Sequence, residues 1–423
     1  MDVNVQTLLR QLPDTEPKLS LGPQKPELIS EEETISGVVD GGYDAVHTQH
    51  DKPPPKIRTL PAPVSLPMCT HDTIQDLVVQ DASSAPACRS GDSEDADINS
   101  LLVGDVKEAL EGHVEWAFDV WKLAQLDKND GPLVLIALQI FKDHDLCETF
   151  NIPEAKLVRW LRRTEEGYNA VPYHNSVHAA DVLQTFNHFL MNGGMLQWMS
   201  PLELFASLFS CIVHDFKHPG VNNNFLALTE DMLALRYNDK SILENHHVAE
   251  AFLLVRDESI NVLEGLQGPQ RAEFRSLCIS LVLATDMAHH FNFVGFMKQR
   301  LEAGGVGIDL NSAEDRCLAM KLVLKSADVS NPAKPLAVVK TWTLRVMEEF
   351  FNQGDLEKEK GLAVSPLCDR ETVSVPASQT GFIKFVVIPL FEVLAIMMPY
   401  AGACIPFLNS SVEYWESHDK GVM

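Results

Sequence analysis

LFASLFSCIVHDFKHPGVNNNF, residues 204–225, decides the fold. Leu204, Phe205, Leu208, Phe209 and Ile212 recur at helical period and share one face. His214 and Asp215 close that apolar run, and Pro219-Gly220 then stops it. A carboxylate left alone at a buried helix end is costly, so Asp215 needs a partner. A divalent cation is one such partner. A structural hydrogen bond to His218 is the other, and this stretch alone does not choose between them.

The same signature returns along the chain. EFRSLCISLVLATD (273–286), EDRCLAMKLVLKSAD (314–328) and TWTLRVMEEFF (341–351) all carry the helical period. No convincing run of alternating strands and no internal repeat appears. The reading is an all-α fold over residues 101–423, in many helices.

Residues 1–100 differ from the rest. They hold eleven of the 24 prolines and seventeen acids against seven bases, with polar runs such as DASSAPACRSGDSEDAD. So little apolar surface does not offset the entropy of ordering, and this region is expected to be mostly disordered. VQTLLRQL within it reads as a docking helix or a plain linker, for partners the sequence leaves unnamed.

A formal net charge of −25 argues against a nucleic-acid polymer as partner. It does not exclude a small anionic substrate, because a bound cation inverts the field locally. Eight cysteines are scattered singly with no CxxC pair, and no signal peptide opens the chain, so a cytoplasmic protein is expected. FVVIPLFEVLAIMMPYAGACIPFL (385–408) is long and apolar, but Pro389, Pro399 and Pro406 interrupt it. It reads as a buried core helix followed by a loop, not as a membrane span.

Three further groups carry chemistry-bearing residues. In YHNSVHAAD, His174 and His178 are four apart and would share a helix face. In KSADVSNPAKPL, Asp328 again ends an apolar helix before Asn331-Pro332. In SILENHHV, Glu244 stands beside His246 and His247. Each alone is compatible with helix capping or a chance histidine pair. Together, His178, His214, Asp215 and Asp328 offer two imidazoles and two carboxylates from separate elements, a donor set that suits zinc. A bridging carboxylate with water elsewhere suits a second, harder ion such as Mg²⁺, and paired ions are a common solution for phosphoester hydrolysis.

Read as a series, His174, His178, HDFKHPGVNNNF, LENHH, ATDM, SADVSNPAKP, EEFFNQGD and SQTGF follow the order and spacing of the class I 3′,5′-cyclic nucleotide phosphodiesterases. The resemblance covers residues 101–423 and is nearest, by eye, to the cAMP-specific members. It implies a compact HD-type metallohydrolase domain. It implies that His178, His214, Asp215 and Asp328 hold a tight Zn²⁺. Asp215 would bridge to a second ion, Mg²⁺ or Mn²⁺, whose waters rest on His218, Glu244 and Thr285. His174 would be the general acid that protonates the leaving O3′. Tyr173 and Asn175 would line the pocket edge. Gln379 would hydrogen-bond the purine, Phe382 and Val346 would clamp its two faces, and Asn331 would be a second base contact.

One departure bears on selectivity. Some cAMP-selective relatives have a tyrosine in the helix after NPxKP that helps orient the glutamine, and this chain has Val339. No tandem regulatory module of the kinds found in animal relatives is evident upstream. The function implied is hydrolysis of cAMP to 5′-AMP, with a dual cAMP/cGMP enzyme as the alternative. Another HD-type nucleotide phosphohydrolase and an inactive nucleotide-binding module stand further off. A homodimer is one expectation for the assembly.

Overall fold

Residues 98–126, 130–302 and 305–419 are described by a computed structural model. The expected disorder of 1–100 lies outside them up to residue 97. Residues 98–100 are helical instead: Ile98–Leu101 forms a short helix whose Ile98 is buried and donates its N–H to Glu154 Oε2 at 3.1 Å.

All regular structure among the described residues is helical, as the sequence predicts. The helices of eight or more residues are α1 (Pro132–Asp143), α2 (Glu154–Gly167), α3 (Ser176–Asn192), α4 (Pro201–Val213), α5 (Ile242–Leu254), α6 (Pro269–Leu283), α7 (His290–Leu301), α8 (Ala313–Asp328), α9 (Leu336–Glu359), α10 (Val375–Phe382), α11 (Ile388–Met397) and α12 (Ile405–Asp419).

The core is built around α3 and α4. From Leu202 to Val213, every residue of α4 is buried, and α3 is buried from His178 to Leu190. A helix buried all round has no solvent face to orient it, so its ends must be fixed locally. Ser200 and Glu203 form a capping box at the start of α4, with Pro201 in its first turn. α3 and α6 flank α4, and α1 and α8 flank α3. Trp160 of α2 stacks on Phe209 of α4 at 5.1 Å between centroids.

Two helix ends depart from the sequence reading. α4 stops at Val213, ahead of Pro219-Gly220. The chain reverses through Lys217, which adopts a left-handed φ of 63°, and Gly220 then turns at φ 78°. The histidines of YHNSVHAAD do not share a helix. Asn175 caps α3, accepting from the N–H groups of Val177 and His178 at 3.0 and 3.4 Å, so His174 lies in the preceding turn.

The apolar stretch near the C-terminus is a core helix, but no loop follows it. α10 runs through one π turn, Ile383–Val387, into α11. Pro389 accounts for that turn, since it lacks an N–H and its ring crowds the carbonyl four residues back. Val375–Met397 has the length and apolarity of a membrane span, yet Leu390, Phe391, Val393 and Leu394 are at most 1 % exposed. They face α7, α8 and α12. After it come a 3-10 turn, Pro399–Cys404, and then α12, with Pro399 and Pro406 in first-turn positions that tolerate proline.

α9 carries a polar stripe inward. Glu349, Gln353 and Glu357 are at most 3 % exposed. Gln353 Oε1 accepts from the Asn222 N–H at 2.9 Å, and Glu357 accepts from the Ser365 N–H at 2.6 Å. α9 thereby holds both the turn after α4 and the segment leading to α10. Gly354 permits the closest approach, because a Cβ there would meet the Cys368 carbonyl oxygen at 1.8 Å. Gly354→Ala is therefore expected to cost about 1–3 kcal/mol, the scale of overpacking. Thermal unfolding should show a Tm several degrees lower, and an unchanged Tm would mean that this segment yields freely.

Candidate active site

His178 in the first turn of α3, His214 at the C-cap of α4, Asp215 in the turn beyond, and Asp328 at the end of α8 meet at one point. His178 Nε2 lies 3.3 Å from His214 Nε2, 3.1 Å from Asp328 Oδ1 and 3.4 Å from Asp215 Oδ2. His214 Nε2 lies 3.1 Å from Asp215 Oδ2 and 3.5 Å from Asp328 Oδ1. Four donors about 2.0–2.1 Å from a zinc-sized ion, at the corners of a tetrahedron, stand about 3.3–3.4 Å apart. The donor set and its spacing fit a divalent metal.

The rings are oriented for that role by different means. His214 Nδ1 donates to the Cys211 carbonyl at 2.9 Å, which leaves Nε2 as the inward nitrogen. His178 Nδ1 has no hydrogen-bond partner among the described residues, and its ring is held by packing against Tyr173 at 4.6 Å. Both imidazoles are sealed from solvent, while the Asp215 and Asp328 side chains keep 13 and 17 % exposure toward the cleft. Burial pulls His214 down, but the two carboxylates outweigh it and hold the ring well above its ordinary range. Burial lifts Asp215, yet His214 and His174 hold it well below the usual carboxylate range.

The cleft beside this point is polar. Tyr173, His174, Asp215, His218, Glu244, His247, Thr285 and Asp328 line it. His174 Nδ1 meets Glu349 Oε1 in a very short contact, and Glu349 Oε2 accepts the N–H groups of Tyr173 and His174 at 2.8 and 3.1 Å. A carboxylate only accepts, so Nδ1 of His174 carries a hydrogen toward Glu349 and Nε2 is left facing away from it. Burial raises Glu349, but His174 beside it brings the net shift below the usual range. His218 stacks on His174 at 4.0 Å. Burial and then the His174 charge keep it well below the ordinary imidazole range. Its Nδ1 accepts the Gly220 N–H at 3.0 Å. Glu244 accepts from Asn223 Nδ2 at 3.1 Å, and Thr285 donates its hydroxyl to the Val282 carbonyl at 2.8 Å.

A second, largely apolar cleft adjoins the first and shares Tyr173 and Met287 with it. Val339, Val346, Gln379 and Phe382 line it, with Asn331 and Trp342. The Thr343 hydroxyl donates to Gln379 Oε1 at 3.3 Å, and Gln379 Nε2 points at Met347 Sδ at 3.8 Å. Asn331 Oδ1 accepts the Tyr173 hydroxyl at 2.6 Å, and Asn331 Nδ2 donates to Asp181 Oδ2 at 2.8 Å. Asn175 lines neither cleft, because its side chain is spent on capping α3 and on the Val171 carbonyl.

Sequence reasoning gave no role to Glu349, Asp181, Thr343 or His247. His247 Nδ1 donates to the Phe216 carbonyl at 2.7 Å, and its Nε2 lies 3.8 Å from Asp215 Oδ1. Burial pushes His247 down to about 3. The available signal for Glu349 was its place on the apolar stripe of α9, in step with Trp342 and Val346.

Comparison with known proteins decides the family. The pattern describing the 3′,5′-cyclic nucleotide phosphodiesterases matches residues 173–406, more than half of the chain. The chain belongs to that family. Within it, the chain is 40 % identical over 314 residues to the rat 3′,5′-cyclic-AMP phosphodiesterase 4C, covering 73 % of this chain and 58 % of the rat protein. It is 42 % identical over 295 residues to the human dual specificity calcium/calmodulin-dependent 3′,5′-cyclic nucleotide phosphodiesterase 1C, covering 69 % and 40 %. The chain thus spans about half the length of the curated relatives it matches.

The donor geometry carries its own test. Asp328→Ala removes one of four donors and opens the site. Its zinc affinity should fall by more than the roughly 10–100-fold that follows loss of an outer partner. Competition against a chromophoric chelator would measure this, with the helical circular dichroism unchanged. Undiminished zinc binding would remove Asp328 from the donor set.

Proposed function

We propose that the protein hydrolyses the 3′ phosphoester of cyclic nucleotides, with cAMP preferred and 5′-AMP as its product. The observation that carries this reading is the pair of clefts sharing Tyr173 and Met287: one polar and rich in metal-type donors, the other an apolar slot with two amides. A cyclic nucleotide has the same two halves, an anionic phosphodiester and a flat purine. An aromatic ring and one or two amides are what a purine slot needs.

His178, His214, Asp215 and Asp328 would hold the tighter ion, zinc. Asp215, through its other oxygen, would reach a second, magnesium or manganese, whose waters rest on His218, Glu244 and Thr285. Bound there, divalent ions neutralise phosphoryl charge and activate water as nucleophile.

The protein's own residues do the rest. His174 delivers a proton from Nε2 to the departing O3′, a poor leaving group without one. Glu349 accepts the Nδ1 hydrogen and fixes the orientation of the ring. Phe382 and Val346 grip the purine faces. Gln379 and Asn331 address its edges.

A dual cAMP/cGMP enzyme is the second reading, favoured by one observation. The partner of Gln379 Oε1 is a hydroxyl, which donates or accepts and so lets the amide flip. The names of the rat and human relatives, one cAMP-directed and one of dual specificity, span both readings. Purified protein with added divalent metal should cleave cAMP with the higher kcat/KM and cleave cGMP measurably at high concentration. A higher kcat/KM for cGMP would overturn the preference, and no turnover of either nucleotide would overturn the activity.

The acid role is separable from metal binding. His174→Ala should retain its metal and lose about 10²–10⁴-fold in kcat, the usual scale for general acid catalysis. A substrate with a better leaving group should recover part of that loss. Loss of metal with no leaving-group effect would make His174 structural.

A further inference from the structure

Lys325 is a buried cation that the proposed chemistry does not use. It stands on α8, one turn ahead of Asp328, with no solvent exposure. Its Nζ donates to the carbonyls of Ala284, Thr285 and Asp286 at 3.1, 3.4 and 3.3 Å, and lies 3.6 Å from Met287 Sδ. An ammonium has three N–H donors, and three carbonyls receive them here. Those carbonyls belong to the turn after α6, where the helix dipole leaves negative charge. Burial pulls the ammonium down to about 8, while Asp328, Asp286 and Glu244 act to keep it charged. An apolar side chain of similar length would fill the space without the cost of burying a charge. The bonds to the turn are what the charge adds.

Two paths lead from that turn into the polar cleft. Thr285 lines the cleft, and its hydroxyl donates to the Val282 carbonyl, so its oxygen remains an acceptor for a water. Asp286 leads the other way. Its Oδ1 accepts the Ala288 N–H at 2.8 Å, and its Oδ2 accepts the Ser241 hydroxyl at 2.6 Å. Ser241 is the N-cap of α5 and holds a left-handed φ of 42°, which a residue other than glycine rarely adopts. Glu244, in the first turn of α5, also lines the cleft. Lys325 thus reaches Thr285 directly, and Glu244 through Asp286 and Ser241. Both belong to the side of the cleft given above to the second ion's waters. Of the four donors to the tighter ion, only Asp328 shares an element with Lys325.

We infer that Lys325 is a positioning residue for the second ion, holding the 284–287 turn so that Thr285 and Glu244 face that ion's waters. The inference rests on the two-ion reading above. Lys325→Met nearly keeps the length and removes the donors. Zinc-loaded protein is titrated with Mn²⁺, and free Mn²⁺ is followed by electron paramagnetic resonance. Mn²⁺ affinity should fall about tenfold, the lower end of the loss that follows removal of an outer partner. Zinc content should be unchanged, and the Mn²⁺ concentration giving half-maximal turnover should rise in step. If Lys325→Met does not fold, Ser241→Ala tests the same relay, because it cuts the link from Asp286 to α5 and leaves the core intact. It must then weaken Mn²⁺ binding severalfold by itself, and undiminished affinity there would overturn the inference.

Removing a cation near a metal site without disturbing the turn would leave Mn²⁺ binding undiminished or tighter. Either result in a folded Lys325→Met would overturn the inference. An equal loss of zinc and Mn²⁺ would make Lys325 merely structural and overturn it too. A parent protein that binds zinc but no Mn²⁺ beside it would instead overturn the two-ion reading on which the inference rests.

Discussion

Two imidazole nitrogens 3.3 Å apart, sealed from water, are the constraint on which the surrounding structure depends. His178 and His214 come from opposite ends of two core helices, so α3 and α4 must pack with the N-terminus of one beside the C-terminus of the other. Asp328 reaches the same point from the end of α8, and Asp215 from the turn after α4. Helix ends are where backbone groups lack intrahelical partners, so they tolerate polar side chains that a helix middle would exclude. Convergence of helix termini lets a site rich in charge exist inside an apolar core without breaking a helix to make room.

α9 ties the two halves of the site together. Its buried face carries Thr343 and Val346 into the apolar slot and Glu349 to His174, within two turns of one another. One rigid element therefore fixes both the Gln379 amide and the ring at the polar cleft. The same helix holds the turn after α4 through Gln353 and the approach to α10 through Glu357. A shift of α9 along its axis would misplace the imidazole and the apolar slot together. The close approach at Gly354, where any side chain meets the Cys368 carbonyl, limits such a shift.

Much of this was legible before any coordinates, and the exceptions have physical causes. Apolar helices ending in Asp215 and Asp328 stand out only together, since each carboxylate alone is compatible with capping or a structural hydrogen bond. The all-α fold follows from the 3.6-residue period, which the structure keeps in its long helices apart from the π turn ahead of Pro389. His174 and His178 were expected on one helix face, but Asn175 captures two backbone N–H groups and starts the helix after His174. Pro219-Gly220 marked a stop that the left-handed Lys217 already supplies. Glu349 and Asp181 escaped because a single acid within a helical stretch looks alike whether it faces solvent or the core. Only the packing of α9 and α3 gives each its partner.

The two amides of the apolar slot show how the same functional group is made permissive or strict. Gln379 is backed by the Thr343 hydroxyl, which donates to an amide oxygen and accepts from an amide nitrogen with similar ease. Its orientation is therefore set mainly by what it binds. Asn331 is backed on one side by a phenol that, like the Thr343 hydroxyl, can donate or accept, but on the other by a carboxylate that only accepts. Its orientation is set before anything binds. Leaving a buried donor or acceptor unpaired costs about 1–3 kcal/mol, so a pre-set amide rejects a mismatched edge and a free one adapts to it. The degree of selectivity in such a slot then depends less on which side chains touch the base than on whether the groups behind them can exchange the roles of donor and acceptor.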